Sequence, residues 1–109
     1  MNYSTHNDKE IDCNGTSLQG YIGISYKELK RIFGKPTDGD GYKVDAEWVV
    51  ELSNGDVATI YNYKDGKNYN GSVGTPKTKI RGWHVGGRTN LIVDKLVTLI
   101  NQRRRLEIR

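Results

Sequence analysis

The segment 42–63 constrains the fold more than any other part of the chain, because it has the pattern of a β-hairpin. Apolar and polar side chains alternate over residues 42–52, which predicts a strand with one buried and one solvated face. Asn54 and Gly55 form the pair typical of a tight hairpin turn, and residues 57–63 are rich in β-branched and aromatic side chains. We therefore expect an antiparallel sheet. The face predicted to be buried carries Val44, Ala46, Trp48, Val50 and Leu52.

The segment before the hairpin predicts a strand and a short helix. Residues 18–24 alternate as a strand does, although two glycines weaken the pattern. Ser25 and Glu28 have capping-box spacing, in which each side chain accepts a hydrogen bond from the other residue's backbone N–H. Gly34 and Pro36 then end the helix. The apolar residues expected to share one face of the strand are Leu18, Ile22 and Ile24.

The segment after the hairpin completes the predicted order of elements. A long loop over residues 64–79 leads into a last strand at residues 78–85, and an amphipathic helix begins at Thr89 or Asn90 and ends near Gln102. The order β-α-β-β-β-α predicts an α+β fold. Its simplest packing is a mostly antiparallel sheet of about four strands with two helices on one face.

Length and composition favour one small soluble domain. The chain has 109 residues, of which 35% are hydrophobic. We interpret residues 1–17 as a flexible polar arm or a loosely docked edge, 18–102 as a single domain and 103–109 as a basic tail. The single cysteine, Cys13, forms no internal disulfide. No apolar run approaches the roughly 20 residues of a membrane-spanning helix, and the polar start is unlike a signal peptide, so we expect a cytoplasmic protein.

The net charge of +4 conceals an uneven distribution along the chain. Residues 1–56 contain ten acidic and six basic side chains, whereas residues 57–109 contain three acidic and eleven basic ones. This polarity predicts that one side of the molecule attracts anions. A mixed-charge surface that only keeps the protein soluble explains the same numbers.

Aromatic and basic side chains near the end of the hairpin and along the last strand form the candidate ligand site. Aromatic rings stack on nucleobases, and lysine and arginine neutralise phosphates. The order of elements differs from that of an RNA-binding sheet, so we do not expect sequence-specific binding of nucleic acid. Trp48 is assigned to the core. The candidate ligand-binding residues are Tyr61, Tyr63, Lys64, Arg81, Trp83, His84 and Arg88.

Metal and catalytic sites have weaker support in the sequence. Asp38 and Asp40 lie in a glycine-rich turn, but the later ligand positions of a calcium loop do not match. We expect no metal and no cofactor. A nucleotide-processing enzyme would need His84 and either Asp45 or Glu47 as an acid–base pair. This interpretation has less support than the two binding functions described below.

Several short motifs together resemble a widespread family of small, mostly uncharacterised bacteriophage proteins. The resemblance covers roughly residues 18–100 and lies in the motifs F-G-x-P, E-W, A-T-I-Y-N-Y-K and W-H-V-G-G. It implies an accessory protein in the cytoplasm of an infected bacterium. Such proteins often inhibit host immunity, either by binding a defence protein or by sequestering a nucleotide signal. The resemblance assigns no catalytic or binding residue.

Two functional hypotheses follow. The first is a non-enzymatic counter-defence protein that sequesters a phosphate-bearing nucleotide, with the site at an interface of a homo-oligomer. The alternative is a protein–protein inhibitor of a host defence effector, of the anti-CRISPR type, which presents an acidic surface to a basic groove. That surface would consist of Asp38, Asp40, Asp45, Glu47 and Glu51.

Overall fold

A computed structural model describes the backbone of residues 2–108 and the side chains of residues 2–105. Within this part of the chain the strands are β1 (Tyr3–Thr5), β2 (Ser17–Gly23), β3 (Glu47–Leu52), β4 (Val57–Tyr61) and β5 (Gly82–Gly87). The helices are α1 (Tyr26–Phe33), α2 (Lys67–Asn70) and α3 (Leu91–Ile108). The strands form one antiparallel sheet in the order β1-β3-β4-β5-β2. The predicted α+β class with an antiparallel sheet is confirmed, but the described residues form five strands and three helices rather than four and two.

One face of the sheet packs against α1 and α3 to form the core. Trp48 of β3 and Trp83 of β5 are fully buried, and their ring centroids lie 5.4 Å apart. Tyr26 of α1 contacts both rings, while Leu96 and Leu99 of α3 are buried in the same apolar cluster. The inward face predicted for the hairpin is confirmed at Ala46, Trp48, Val50 and Leu52, which are buried, whereas Val44 is only half-buried.

The two ends of α1 follow the sequence signals, with one exception. The Ser25 hydroxyl accepts a hydrogen bond from the Glu28 N–H at 3.1 Å, as a helix N-cap does. Gly34 ends the helix with a φ of 85°. Glu28 does not return the capping bond. Its carboxylate accepts a hydrogen bond from Arg104 of α3 at 2.5 Å, because a guanidinium donor forms a stronger bond with a carboxylate than a neutral N–H does.

A β-bulge in β2 changes the side of the sheet on which Leu18 lies. The register shifts between Leu18 and Gly20, so that Leu18 pairs with Gly86 and is 47% exposed. Ile22 pairs with Trp83 and is buried in the core. The prediction that Leu18 shares a face with Ile22 was wrong, because a bulge adds one residue and reverses the alternation that precedes it.

Several element boundaries also differ from the prediction. The strand predicted from residue 42 begins only at Glu47, because the N–H groups of the two preceding residues bond to a side chain rather than to a neighbouring strand. β5 begins at Gly82, since residues 77–79 form a 3-10 turn. α3 continues beyond Gln102 to Ile108, so much of the predicted basic tail is helical; residue 109 lies outside the described residues.

The N-terminal segment contains a strand that the sequence did not predict. Residues 3–5 form β1 at the edge of the sheet beside β3. The Tyr3 hydroxyl donates to the Ile32 carbonyl at 2.7 Å, and the Tyr3 ring packs edge-on against Phe33 at 5.5 Å. Residues 3–5 are thus docked at the edge of the sheet. Among the described residues, no helix combines the length and the apolar character needed to cross a membrane.

Candidate functional site

Three aromatic side chains lie side by side on the outer face of the sheet, opposite the core. Tyr61 of β4 pairs with His84 of β5, which in turn pairs with Tyr21 of β2. The His84 ring centroid lies 5.4 Å from that of Tyr61, at an interplanar angle of 27°, and 4.9 Å from that of Tyr21. We name these three residues the aromatic row. Tyr21 is 64% exposed, so the row is open to solvent at the β2 end. Tyr63, which follows β4, contacts the same His84 ring at 5.8 Å.

Three tyrosines and two lysines lie at the open end of the hairpin. The Lys43 ammonium is 5.6 Å from the Tyr42 ring centroid and 6.0 Å from that of Tyr63. The Lys64 ammonium is 5.4 Å from the Tyr63 centroid and 5.7 Å from that of Tyr69. Tyr42 and Tyr69 contact each other at 5.3 Å, so the contacts form a closed circuit. We name these five residues the tyrosine–lysine ring. Each lysine can contribute a cation–π interaction with two tyrosines.

A fully buried asparagine holds this part of the chain in place. The Asn62 side-chain oxygen accepts hydrogen bonds from the N–H groups of Asp45 and Ala46, at 2.8 and 3.1 Å. Its amide nitrogen donates to the carboxylates of Asp45 and Asp65, at 2.8 and 2.9 Å. The second Asp45 oxygen accepts from the N–H of Asn68 in α2 at 3.1 Å. All four hydrogen-bonding positions of the amide are therefore used, and they join the hairpin to the loop that follows it.

The backbone at Lys64 is strained. Its φ is 61°, the only positive value at a non-glycine residue in the described part of the chain. The Lys64 N–H donates to the Lys43 carbonyl at 2.9 Å, and the Lys64 carbonyl accepts from the Asn70 amide at 2.9 Å. A Cβ atom on the neighbouring Gly66 would lie 2.0 Å from a carboxylate oxygen of Asp45, so this position requires glycine. Left-handed backbone at a non-glycine residue persists only where its surroundings enforce it, and it is common at functional sites.

A half-buried carboxylate lies next to the aromatic row. Glu47 pairs with Tyr61 at the start of β3. Burial raises the pKa of Glu47, the charge of Asp40 adds to the increase, and His6 opposes it. Burial also raises the pKa of Tyr61, and Glu47 is the next cause. The Tyr61 hydroxyl therefore stays protonated at neutral pH and is able to donate a hydrogen bond.

The arrangement does not provide an acid–base pair around His84. Glu47 is two strands away from His84 in the sheet, a separation of about 10 Å at the usual strand spacing. The Asp45 carboxylate is bound to Asn62 and Asn68. The Nδ1 atom of His84 is buried and has no hydrogen-bond partner in the described part of the chain. Within that same part, no group of three or more His, Cys, Asp or Glu side chains is placed to hold a metal ion.

Trp83 lies in the core and not at the site. It is fully buried, and its indole N–H donates to the Ile24 carbonyl at 3.0 Å. Successive residues of a strand point to opposite faces of the sheet, so Trp83 faces α1 while His84 faces outward. The prediction of Trp83 as a ligand residue was therefore wrong.

The two predicted arginines have no contact with the aromatic row among the contacts found in the described part of the chain. The charge of Arg81 acts on Glu28 of α1, on the helical side of the sheet. Arg88 follows the far end of β5, where its guanidinium donates to the carbonyls of Asp12 and Asn14 at 2.9 and 3.0 Å. Arg88 is thus bound at the end of β5 opposite to His84, whereas the role of Arg81 as a ligand residue stays a prediction. The predicted ligand residues that do lie together are Tyr61, Tyr63, Lys64 and His84.

Most residues of the predicted acidic surface serve the chain's own structure. The Asp40 carboxylate accepts from two backbone N–H groups of the following turn, at 2.8 and 2.9 Å. Backbone hydrogen bonds accordingly lower its pKa. Glu51 forms an ion pair with Lys9 at 2.5 Å, and Asp45 holds α2 and the hairpin together. Among the five predicted carboxylates, Asp38 and Glu47 remain outside these contacts.

Four residues of the site, and Asn62, which positions it, were not identified from the sequence. Tyr21 precedes the core residue Ile22, so the alternation of β2 alone places Tyr21 on the outer face. The loop tyrosines carry no such local signal. Asn62 gave none either, because its partners lie far away in the sequence. The residues that were not predicted as ligand residues are Tyr21, Tyr42, Lys43 and Tyr69.

Together, the aromatic row and the tyrosine–lysine ring form one continuous surface, joined by the contact between Tyr63 and His84. The surface offers flat apolar rings with two ammonium groups among them. Comparisons with protein-family models, with curated proteins and with solved structures found no match to this chain.

Proposed function

We propose that this chain binds a phosphate-bearing nucleotide on the outer face of its sheet and thereby sequesters it. The observation that supports this most directly is the position of Tyr63, which contacts His84 of the aromatic row and also both ammonium groups of the tyrosine–lysine ring. A nucleotide combines the two complementary parts, a flat base and an anionic phosphate. Base–aromatic stacking and charge neutralisation by lysine are the interactions that such a ligand requires.

Each part of the surface has a role in this proposal. The base stacks on Tyr21, whose ring is the most exposed of the aromatic row. His84, with its centroid 4.9 Å from that of Tyr21, lies beside the base as a hydrogen-bonding partner. Lys43 and Lys64 neutralise the phosphate. The hydrogen bonds from Asn62 to Asp65 and from Asn70 to the Lys64 carbonyl already order the loop that carries Lys64, so binding costs less conformational entropy than it would with a mobile loop.

The cellular role that we propose is that of a small phage accessory protein. It would act in the cytoplasm of an infected bacterium and inhibit immunity by removing a nucleotide signal. This role combines the nucleotide site with the resemblance of residues 18–100 to phage proteins. Binding without turnover is favoured because neither Glu47 nor Asp45 is paired with His84. The acidic inhibitor has less support, since Asp40 and Glu51 have intramolecular partners.

Isothermal titration calorimetry tests the proposal. The ligands are AMP, GMP, their 3′,5′-cyclic forms, ADP-ribose and UDP-glucose. We expect saturable binding of at least one of them, weakened at least about fivefold by Tyr21→Ala, the lower end of the cost of losing one stacked base. Lys43→Gln should weaken the same ligand.

Lys27→Gln is the matched control, because it removes the same charge from an exposed position on α1, across the sheet from the site. Circular dichroism and thermal melting establish that each variant is folded. Absence of binding at millimolar concentrations of every ligand would contradict the proposal. Equal effects of Lys43→Gln and Lys27→Gln would contradict the assignment of the phosphate position.

A further inference from the structure

The tyrosine–lysine ring has a second aromatic surface, which a single base on the aromatic row leaves unused. Tyr42 and Tyr69 are 56% and 39% exposed, and their centroids lie 5.3 Å apart at an interplanar angle of 49°. We name these two residues the outer tyrosine pair. Exposed aromatic side chains that lie together form the kind of apolar surface that marks an interaction site.

The two lysines stand between the outer tyrosine pair and Tyr63. Lys43 lies at nearly equal distances from Tyr42 and Tyr63, 5.6 and 6.0 Å. The Lys64 ammonium likewise lies at nearly equal distances from the ring centroids of Tyr69 and Tyr63, 5.7 and 5.4 Å. Across this surface the order is therefore aromatic, cationic, aromatic. The complementary order in a ligand is base, phosphate, base.

We infer that the ligand contains two bases joined through phosphate groups, a dinucleotide unit. One base stacks on the aromatic row, the phosphates lie at Lys43 and Lys64, and the other base stacks on the outer tyrosine pair. This inference rests on the proposed function. A mononucleotide fills one aromatic surface only, whereas a tethered second base binds the other surface intramolecularly and so raises the affinity.

The protein itself fixes the spacing of the two aromatic surfaces. The N–H of Lys64 donates to the carbonyl of Lys43 at 2.9 Å, which ties the two lysine backbones together. Asn70, at the end of α2, donates to the Lys64 carbonyl at 2.9 Å, and Tyr69 is the residue before it. The outer tyrosine pair is thus held at a set position relative to the lysines before any ligand arrives, as a site selective for ligand length requires.

Calorimetric titrations with ligands of increasing length test the inference. The probes are AMP, the 5′-phosphorylated dinucleotide pApA and an octa-adenylate, together with their guanine counterparts. We expect the dinucleotide to bind at least about fivefold more tightly than the mononucleotide, the lower end of the contribution of one more stacked base. Tyr69→Leu should remove this gain and weaken mononucleotide binding less than Tyr21→Leu does, because Tyr69 contacts Lys64 but not the first base. Tyr21→Leu should weaken both ligands. Tyr42→Leu provides an independent variant of the outer tyrosine pair.

The outcomes separate this inference from the proposed function. Equal affinities for mononucleotide and dinucleotide would overturn the inference while the nucleotide site stands. Loss of mononucleotide binding in both Tyr69→Leu and Tyr42→Leu would overturn the division into two base positions. A further large gain for the octanucleotide, per binding site, would overturn the dinucleotide length in favour of a longer single strand. Failure of every probe to bind would contradict the proposed function itself.

Discussion

Replacement of Asn62 by alanine should destabilise the whole protein, although Asn62 is a small polar residue after the end of a strand. Asn62 is fully buried and makes four hydrogen bonds, to two backbone N–H groups and two carboxylates. Each such bond contributes about 1 kcal/mol, and each buried donor left without a partner costs about 1–3 kcal/mol. We therefore expect Asn62→Ala to lower the free energy of unfolding by roughly 3–5 kcal/mol, a large part of the 5–15 kcal/mol typical of a small domain.

Urea denaturation followed by tryptophan fluorescence measures this effect, because both tryptophans lie in the core. Asn54→Ala is the matched control. Asn54 also exchanges two hydrogen bonds with a neighbouring aspartate, but it is exposed in the hairpin turn. Water replaces its bonds there, so we expect a change below about 1 kcal/mol. If Asn62→Ala and Asn54→Ala lowered the free energy of unfolding equally, the central role given to the Asn62 amide would be refuted.

An isosteric variant adds a test by pH. Asn62→Asp places a third carboxyl group between those of Asp45 and Asp65. Burial and the two neighbouring charges raise the folded-state pKa of the new group above its unfolded value of about 4. The free energy of unfolding of Asn62→Asp, relative to that of the natural protein, should therefore decrease as the pH rises from about 4 towards 7. A constant difference over this range would show that the carboxylates are not close to position 62.

Three further predictions concern other parts of the fold. Glu47→Gln should become more stable relative to the natural protein as the pH rises above the ordinary pKa of a glutamate. The reason is that the pKa of Glu47 is raised in the folded state, so ionisation of Glu47 opposes folding. Urea titrations at several pH values measure this difference. Ser25→Ala should cost about 1 kcal/mol through loss of the α1 N-cap, as read from a thermal melt. Ile22→Ala should cost about 2–4 kcal/mol, whereas Leu18→Ala, at a 47% exposed position, should change the midpoint of urea unfolding little.

Local patterns in the sequence were sufficient for the elements that local physics determines. The hairpin and its buried face, with Trp48 inside, follow from alternation and an Asn-Gly turn. The start of α1 at Ser25 and its end at Gly34 follow from cap residues within one turn of the helix. In each case the interacting groups lie within a few residues of each other, so the sequence displays the interaction directly.

Elements that depend on distant partners could not be predicted in this way. β1 forms because Tyr3–Thr5 pairs with β3, and a segment of three residues contains no pattern that predicts such pairing. The irregular path before Glu47 depends on Asn62, which lies beyond the hairpin turn. Arg88 was expected to bind a phosphate, but it binds carbonyl groups of the N-terminal segment. A basic side chain shows its charge in the sequence but not its partner.

The part of the candidate site that lies on strands could be predicted from the alternation of side chains between the two faces of the sheet. Trp83 and His84 are neighbours in a strand, so only one of them is able to face the ligand. With Trp48 already assigned to the core, the larger apolar ring of Trp83 is the better core residue, and the structure buries it beside Trp48. The same reasoning places Tyr21 outward, opposite His84. Strand alternation could not have predicted the tyrosine–lysine ring, because Tyr69 lies outside the strands and the loops determine which residues it contacts.

The distribution of charge along the chain is a weaker guide to the site than the positions of two lysines. Folding pairs charges from the acidic half with charges from the basic half, as in the ion pairs of Glu28 with Arg104 and Asp56 with Lys95. Such pairs bring charges of both halves together in space, so the excess on one half of the sequence does not by itself give the charge on one side of the molecule. Lys43 belongs to the acidic half, yet it lies with Lys64 among exposed tyrosine rings. An anion is attracted by the charges within a Debye length of it, and near this surface those include the two ammonium groups whatever the sum over the chain.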